Sequence, residues 1–246
     1  MVCLNLDRSA IEHSKKTMEN EIIPYLEMCQ REGVSLQQGM NFRLGKAYSV
    51  ILMSVRPNAP YRDAVLDEGS TLVYEGHDTP RTRRSPDPKS LDQPWQTPSG
   101  QLTQNGKFHQ AAQDYKNGFR AAEPVRVYEK IRAGIWSYNG LFHLVDSWQE
   151  TDGKRNVFKF KLIAVDEPSE SAGSIENGYE PRRVIPTSVK LEVWKRDGGK
   201  CVVCGATDEL HFDHIIPFSR GGTSLKADNI QLLCARHNIA KRDKIE

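Results

Sequence analysis

Long apolar runs are missing from this chain of 246 residues. No stretch approaches the roughly 20 apolar residues that a membrane-spanning helix needs. The opening residues, MVCLNLDRSAIEHSKK, carry charges early and lack the apolar core of a secretory signal. Both absences argue against a membrane protein or a secreted protein, and we expect a globular protein of the cytoplasm.

Cysteine is scarce and net charge is small. Of the five cysteines, three lie in one C-terminal stretch, which leaves Cys3 and Cys29 for any pairing. A disulfide framework is therefore not expected, in keeping with a reducing compartment. The formal net charge of +2 neither requires nor excludes a nucleic-acid partner, so local patches have to decide that question.

Two pairs of soft metal ligands bracket the C-terminal stretch. Cys201 and Cys204 stand at its front, and Cys234 and His237 stand at its back, each pair with two residues between its members. That spacing lets two side chains of one tight turn reach one ion, and four such ligands satisfy tetrahedral zinc. The pattern predicts a structural Zn²⁺ site.

Polar residues between and after these pairs have the chemistry of phosphodiester hydrolysis. A neutral imidazole at His214 could take a proton from water, and Asn229 could fix its orientation and tautomer. The carboxylate of Asp213 and the amide oxygen of Asn238 could hold Mg²⁺ or Mn²⁺ beside the scissile phosphate. The pattern therefore predicts metal-assisted hydrolysis with His214 as general base.

The last quarter of the chain carries further short motifs in a fixed order. They are Val193-Trp194-Lys195-Arg196-Asp197, the Cys201/Cys204 turn, Asp213-His214-Ile215-Ile216-Pro217, Gly221-Gly222, Asn229-Ile230-Gln231-Leu232-Leu233-Cys234, and His237-Asn238 with Lys241. This series resembles the HNH nuclease family with its ββα-metal fold. The resemblance implies that the Asp-His pair supplies a metal ligand and the general base. Asn238 stands at the third catalytic position, where many members have His.

A zinc ribbon without catalysis is the alternative reading of the four ligands. It leaves Asp213, His214 and Asn229 unexplained, so we favour the nuclease. His211 alternates with Asp213 on an expected strand, and we interpret it as a packing or surface residue.

The pattern of the N-terminal residues predicts a helix over residues 9–32. Ser9 and Glu12 have the spacing of a capping box, and apolar residues recur at helical intervals. Pro24 should kink or split this helix and Gly33 should end it. We expect the helix to pack against the next domain or a second subunit.

From residue 44 to residue 166 the pattern changes to short strands, typical of a mainly β, barrel-like domain. Asn139-Gly140 between two apolar runs is a hairpin signal. A long polar segment, residues 77–104, contains Arg81, Arg83 and Arg84, which could contact DNA phosphates.

Several motifs in this β region occur in one order. They are Tyr61-Arg62-Asp63, Gly69-Ser70-Thr71-Leu72-Val73-Tyr74-Glu75-Gly76, Asp92-Gln93, Leu102-Thr103-Gln104-Asn105, Pro124-Val125-Arg126-Val127 and Tyr138-Asn139-Gly140-Leu141-Phe142. The series resembles the SRA (SET and RING associated) domain, which binds modified cytosine by flipping it out of DNA. By position in that family, Tyr61 and Tyr74 would stack on the base. Asp63 would accept from the cytosine amino group, with Asp67 as the other candidate.

The two resemblances predict an α+β protein with two domains: an SRA-like β-barrel domain and a ββα-metal HNH domain with structural zinc. The expected boundaries are residues 1–35 for an N-terminal helical segment, 36–166 for the reader, 167–181 for a linker rich in Pro, Ser and Gly, and 182–246 for the nuclease.

Such a chain resembles a modification-dependent restriction endonuclease of prokaryotes. The expected partner is double-stranded DNA with 5-methylcytosine or 5-hydroxymethylcytosine, and a homodimer is expected because one HNH site cuts one strand. Two alternatives remain open: a modified-DNA-binding module with a non-catalytic zinc domain, and a sequence-directed HNH homing or nicking endonuclease.

Overall fold

The computed structural model of the protein describes residues 19–81, 86–165, 184–217 and 220–241. Arg83, Arg84, the expected linker and the predicted helix start at Ser9 lie outside the described residues. In the described part the chain forms two domains, here named the N-terminal domain (residues 19–165) and the C-terminal domain (residues 184–241). This is the mixed α+β architecture that the sequence predicts.

The N-terminal domain is built on one eight-stranded sheet. Its order is β2-β3-β6-β7-β8-β5-β4, with β1 paired to β7 off this path. Only the β3/β6 pair is parallel among these strands. The strands are β1 (Ile22–Pro24), β2 (Met40–Asn41), β3 (Ser49–Met53), β4 (Ala64–Leu66), β5 (Thr71–Glu75), β6 (Glu123–Arg132), β7 (Ile135–Thr151) and β8 (Asn156–Ala164).

Alternating apolar residues of these strands face one core, and residues of the opposite phase, such as Val50 and Tyr128, are buried in a second cluster. Val125, Val127 and Phe142 are buried in the first core, and the helix α2 (Gln104–Lys116) covers them with Phe108. The Thr103 hydroxyl caps α2 by accepting from the Gly106 backbone N–H at 3.2 Å.

The Asn139-Gly140 pair is not a hairpin turn. Both residues lie inside the long strand β7, and the β6/β7 turn is made instead by Ala133 and Gly134. The register shifts where Val127 faces Gly140, so Asn139 is the extra residue of a β-bulge, and Gly140 takes a φ of 94°. The Asn139-Gly140 pair therefore forms a bulge inside a strand instead of a turn, and the bulge directs the Asn139 side chain into the interior.

The expected continuous helix differs from the structure over its described part. Residues Ile22–Pro24 form β1, and helix α1 spans Tyr25–Glu32. Pro24 has no N–H for a sheet or a helix, which is why the strand ends and the helix begins at this point. Gly33 ends α1 in the left-handed conformation, as predicted.

The C-terminal domain is small. It contains α3 (Thr187–Arg196), the antiparallel pair β9 (Leu210–His214) and β10 (Ile230–Cys234), and α4 (Ala235–Lys241). Its apolar cluster includes Ile22 and Ile131 of the N-terminal domain, so the two domains share a core.

Among the described residues, no helix is both long enough and apolar enough to cross a membrane.

Candidate functional site

Four soft-ligand side chains converge in the C-terminal domain. The ligand atoms of Cys201, Cys204, Cys234 and His237 all lie within 4.8 Å of one another. The Sγ atoms of Cys204 and Cys234 are 3.8 Å apart, and His237 Nδ1 lies 3.2 Å from Cys234 Sγ. A tetrahedral ion with Zn–S bonds of about 2.3 Å would place two sulfurs about 3.8 Å apart. The donor set and its spacing therefore fit one tetrahedral metal ion.

His214 is the last residue of β9 and lies between the two ligand pairs in sequence. Its Nε2 lies 2.8 Å from the Ser224 hydroxyl. Burial lowers the pKa of His214, and the Asp213 carboxylate offsets this effect only in part. The imidazole is therefore neutral near pH 7 and able to accept a proton.

Asp213 is fixed by a buried lysine. Its Oδ2 accepts from Lys241 Nζ at 2.7 Å and from Gln231 Nε2 at 3.4 Å. The Lys241 ammonium also donates to the His214 carbonyl oxygen. Asn238 lies on α4 three residues before Lys241 and is partly exposed. Carboxylate and amide oxygens are donors that hard divalent cations prefer, so Asp213 and Asn238 fit such an ion chemically.

Asn229 holds the loop beside the imidazole. Its Oδ1 accepts from the Ile216 N–H at 2.9 Å, and its Nδ2 donates to the carbonyl oxygens of Ile216 and Thr223, both at 3.0 Å. A side chain at Gly222 is excluded, because its Cβ would lie 1.8 Å from the Ile216 oxygen. Asn229 thus acts on the loop backbone, and Ser224 on that loop contacts the ring.

A cavity of about 620 Å³ opens in the N-terminal domain. Its lining includes the aromatic side chains of Tyr61, Tyr74, His77 and Trp136, and Asp63 adds a carboxylate. Concave, largely apolar sites with few polar groups are the usual form of small-ligand pockets. The cavity is therefore the candidate binding site of this domain.

His77 contacts both predicted stacking residues. Its ring is stacked on Tyr61, with centroids 4.9 Å apart and planes at 10°, and its Nε2 lies 2.8 Å from the Tyr74 hydroxyl. The buried Asn105 side chain holds the His77 backbone through two hydrogen bonds of 2.8 Å. Burial lowers the pKa of His77 to about 4, so this imidazole is neutral at pH 7. Lys89 Nζ lies 4.2 Å from the centroid of the Tyr61 ring.

Asp63 lines the cavity, whereas Asp67 is exposed in a short 3₁₀ turn. The Asp63 carboxylate accepts from the Ser54 N–H at 2.9 Å and from the Glu75 N–H at 3.1 Å. Burial nevertheless raises its pKa to about 7. Of the predicted DNA contacts, Arg81 is described and exposed.

Comparison with known families follows this division of the chain. Residues 25–167 match the SAD/SRA domain, and residues 201–244 match the HNH endonuclease. The chain belongs to the SAD/SRA family. Its C-terminal part is an HNH domain joined to the SRA domain in the same chain. No curated protein matches the chain.

Several solved structures resemble the chain. A SUVH5 SRA complex with hemi-methylated CG DNA is 22% identical, with a TM-score of 0.43, and covers 65% of this chain and 95% of that chain. SUVH5 SRA bound to fully hydroxymethylated CG DNA is 21% identical, with a TM-score of 0.41, and the match covers 64% of this chain and 91% of that chain. Arabidopsis thaliana SUVH6 in complex with SAM is 18% identical, with a TM-score of 0.42, and the match covers 81% of this chain and 32% of that chain.

The sequence analysis did not single out two residues of these sites, His77 and Ser224, or the contact made by a third, Lys241. His77 and Ser224 are common polar residues in segments without periodicity, so no local signal marks them. Lys241 was part of the HNH motif series, but its contact with Asp213 depends on the packing of α4 against β9.

Removal of one cysteine tests the metal cluster. We expect Cys204→Ala to lose the bound ion and to lower the melting temperature of the HNH domain, because folding of so small a core depends on the metal. Elemental analysis and thermal denaturation measure both effects. Cys29→Ala, which changes a cysteine of the SRA domain, should keep the full metal content. Wild-type protein that is folded and free of metal would contradict the assignment.

Proposed function

We propose that the protein is a modification-dependent DNA endonuclease. Its SRA domain takes up a flipped 5-methylcytosine or 5-hydroxymethylcytosine, and its HNH domain hydrolyses a phosphodiester bond nearby. One observation carries the proposal: a single chain joins an aromatic cavity bearing a carboxylate to a neutral histidine that follows an aspartate on the same strand.

The cavity has the groups that a flipped cytosine requires. Aromatic faces replace the lost base stacking, and a carboxylate accepts from the amino edge of the base. We assign stacking to Tyr61 and Tyr74, and the amino edge to Asp63. Each base–aromatic contact contributes on the order of 1–3 kcal/mol to binding. Arg81, Arg83 and Arg84 would contact phosphates, which adds affinity without sequence preference.

The HNH residues divide the hydrolysis between them. His214 takes a proton from the attacking water, and the Ser224 hydroxyl, 2.8 Å from Nε2, holds the ring in place. Lys241 holds the Asp213 carboxylate in place. A Mg²⁺ or Mn²⁺ ion held by Asp213 and Asn238 would supply electrostatic stabilisation of the phosphate. Zn²⁺ in the cysteine cluster would be structural.

One HNH site cuts one strand, so double-strand cleavage requires two copies of the chain on the DNA. We propose a homodimer for this reason.

Removal of the proposed general base, His214, should separate DNA cleavage from DNA binding. We expect His214→Ala to slow cleavage of methylated DNA about 100-fold to 10,000-fold, the usual contribution of a general base. Binding of the same DNA should stay within about twofold, because no proton transfer is involved in it. Cleavage rates and binding constants on one duplex measure this. His143→Ala is a control outside both sites. Unchanged cleavage by His214→Ala would favour a binding module.

The Asp63 carboxyl predicts a pH dependence of discrimination. Its raised pKa of about 7 means that it is protonated below pH 7 and accepts poorly from an amino group there. The affinity ratio of modified to unmodified DNA should therefore rise between pH 6 and pH 8. Asp63→Asn should abolish this rise and exposed Asp67→Asn should keep it. The same rise in Asp63→Asn would assign it to another group.

His77 occupies one face of Tyr61, so a base that stacks on this face must displace it. We expect His77→Ala to bind modified DNA roughly twofold to tenfold more tightly, because an aromatic pair of about 0.5–1.5 kcal/mol no longer has to be broken. Titration against matched duplexes at one salt concentration tests this. Weaker binding would make His77 a wall that the base needs.

A further inference from the structure

The segment of residues 20–24, which ends in strand β1, connects the two domains through backbone contacts to both of them. Ile23 pairs with Trp136 of β7, inside the SRA sheet. Just before β1, the Asn20 carbonyl accepts from the Phe212 N–H of β9 at 3.0 Å, and Glu21 forms a β-bridge with His211. The HNH strand is therefore attached to the SRA sheet by main-chain pairing.

This connection runs directly between the two candidate sites. Trp136 lines the SRA cavity, and it is one strand away from β9. The catalytic pair Asp213-His214 follows the bridged residue His211 along β9. The cavity wall on β7 and the catalytic residues on β9 are thus linked through the segment of residues 20–24 that lies between these two strands.

A buried ion pair makes a second connection. Lys190 of α3 is 0% exposed, and its Nζ donates to Glu129 Oε2 at 2.9 Å and to Asn139 Oδ1 at 2.6 Å. Asn139 Nδ2 in turn donates to Glu129 Oε2 at 3.1 Å, and the Thr187 hydroxyl donates to the other carboxylate oxygen. The bulge in β7 places Asn139 in this network.

The ion pair restricts how the domains dock. Apolar surfaces such as those of Ile22 and Ile131 tolerate small shifts, because burial energy has no direction. A buried ammonium is different, since any shift leaves it without its carboxylate in a medium that does not solvate it. The network therefore selects a single arrangement of the HNH domain on the SRA domain.

We propose that this docking sets a fixed distance between the base that is read and the bond that is cut, with Lys190, Glu129 and Asn139 as positioning residues. The inference rests on the proposed function. Without this docking, a random-coil chain as long as residues 166–183 would let the HNH domain range over roughly 25 Å. That is about seven base pairs at the rise of duplex DNA.

Mapping of cut positions tests the proposal. The substrate is a duplex with a single 5-methylcytosine or 5-hydroxymethylcytosine, and product ends are sequenced. We expect wild-type protein to cut in one narrow cluster. Insertion of ten Gly/Ser residues after Gly173 should leave this cluster in place, because docking and not chain length sets the distance. A cluster that moves or spreads with the insertion would overturn the proposal.

Charge reversal provides the opposite test. Lys190→Glu puts a second carboxylate beside Glu129 and should spread the cuts over about seven base pairs on either side, the range of a random-coil chain of that length. Lys195→Glu, an exposed change on the same helix, should keep the wild-type cluster. Lys190→Glu that is folded, binds its metal and cuts in that same cluster would overturn the assignment of Lys190.

Small-angle X-ray scattering tests the docking of the two domains directly, without a cleavage assay. The radius of gyration should be unchanged by Lys195→Glu and should increase in Lys190→Glu. Wild-type protein that cuts without regard to modification overturns the proposed function. An extended wild-type particle, with the domains apart, overturns the docking. The two failures are therefore distinguishable.

Discussion

A single buried ammonium, that of Lys190, lies at the contact between the two domains. It has no exposure to water, and a carboxylate and an amide of the SRA domain hold it. Burial lowers the pKa of Lys190, and Glu129 acts against this effect. Such a pair adds little net stability but penalises every other docking geometry. The bulge in β7 places Asn139 against this ammonium. The apolar contacts of β1 add burial to the same contact between the domains.

Burial has a similar role at both candidate sites, where it sets the protonation of the key groups. In the HNH domain it lowers the pKa of His214, which gives a neutral imidazole at pH 7. In the SRA cavity it raises the pKa of Asp63 to about 7 and lowers that of His77 to about 4. Desolvation acts on the charged form in each case, so an acid and two imidazoles shift in opposite directions.

Local spacing was enough to predict part of this structure. The ligands around Cys201 and His237 belong to tight turns, and Asp213 and His214 are neighbours on a strand, so sequence distance reports spatial distance. Features that depend on tertiary contacts could not be read in this way. Asn139-Gly140 has turn chemistry but lies within β7, where the buried partners of Asn139 favour a bulge. Likewise, the sequence around β1 has helical periodicity, and pairing with β7 overrides it.

We propose that one chain reads a cytosine modification and cuts DNA because of it. The most direct measurement is digestion of plasmids of identical sequence that carry cytosine, 5-methylcytosine, 5-hydroxymethylcytosine or its glucosylated form, with Mg²⁺ or Mn²⁺ present. We expect cleavage of the methylated or hydroxymethylated plasmid and protection of the unmodified one. Cleavage of unmodified DNA at a defined sequence, at the same rate as modified DNA, would contradict it.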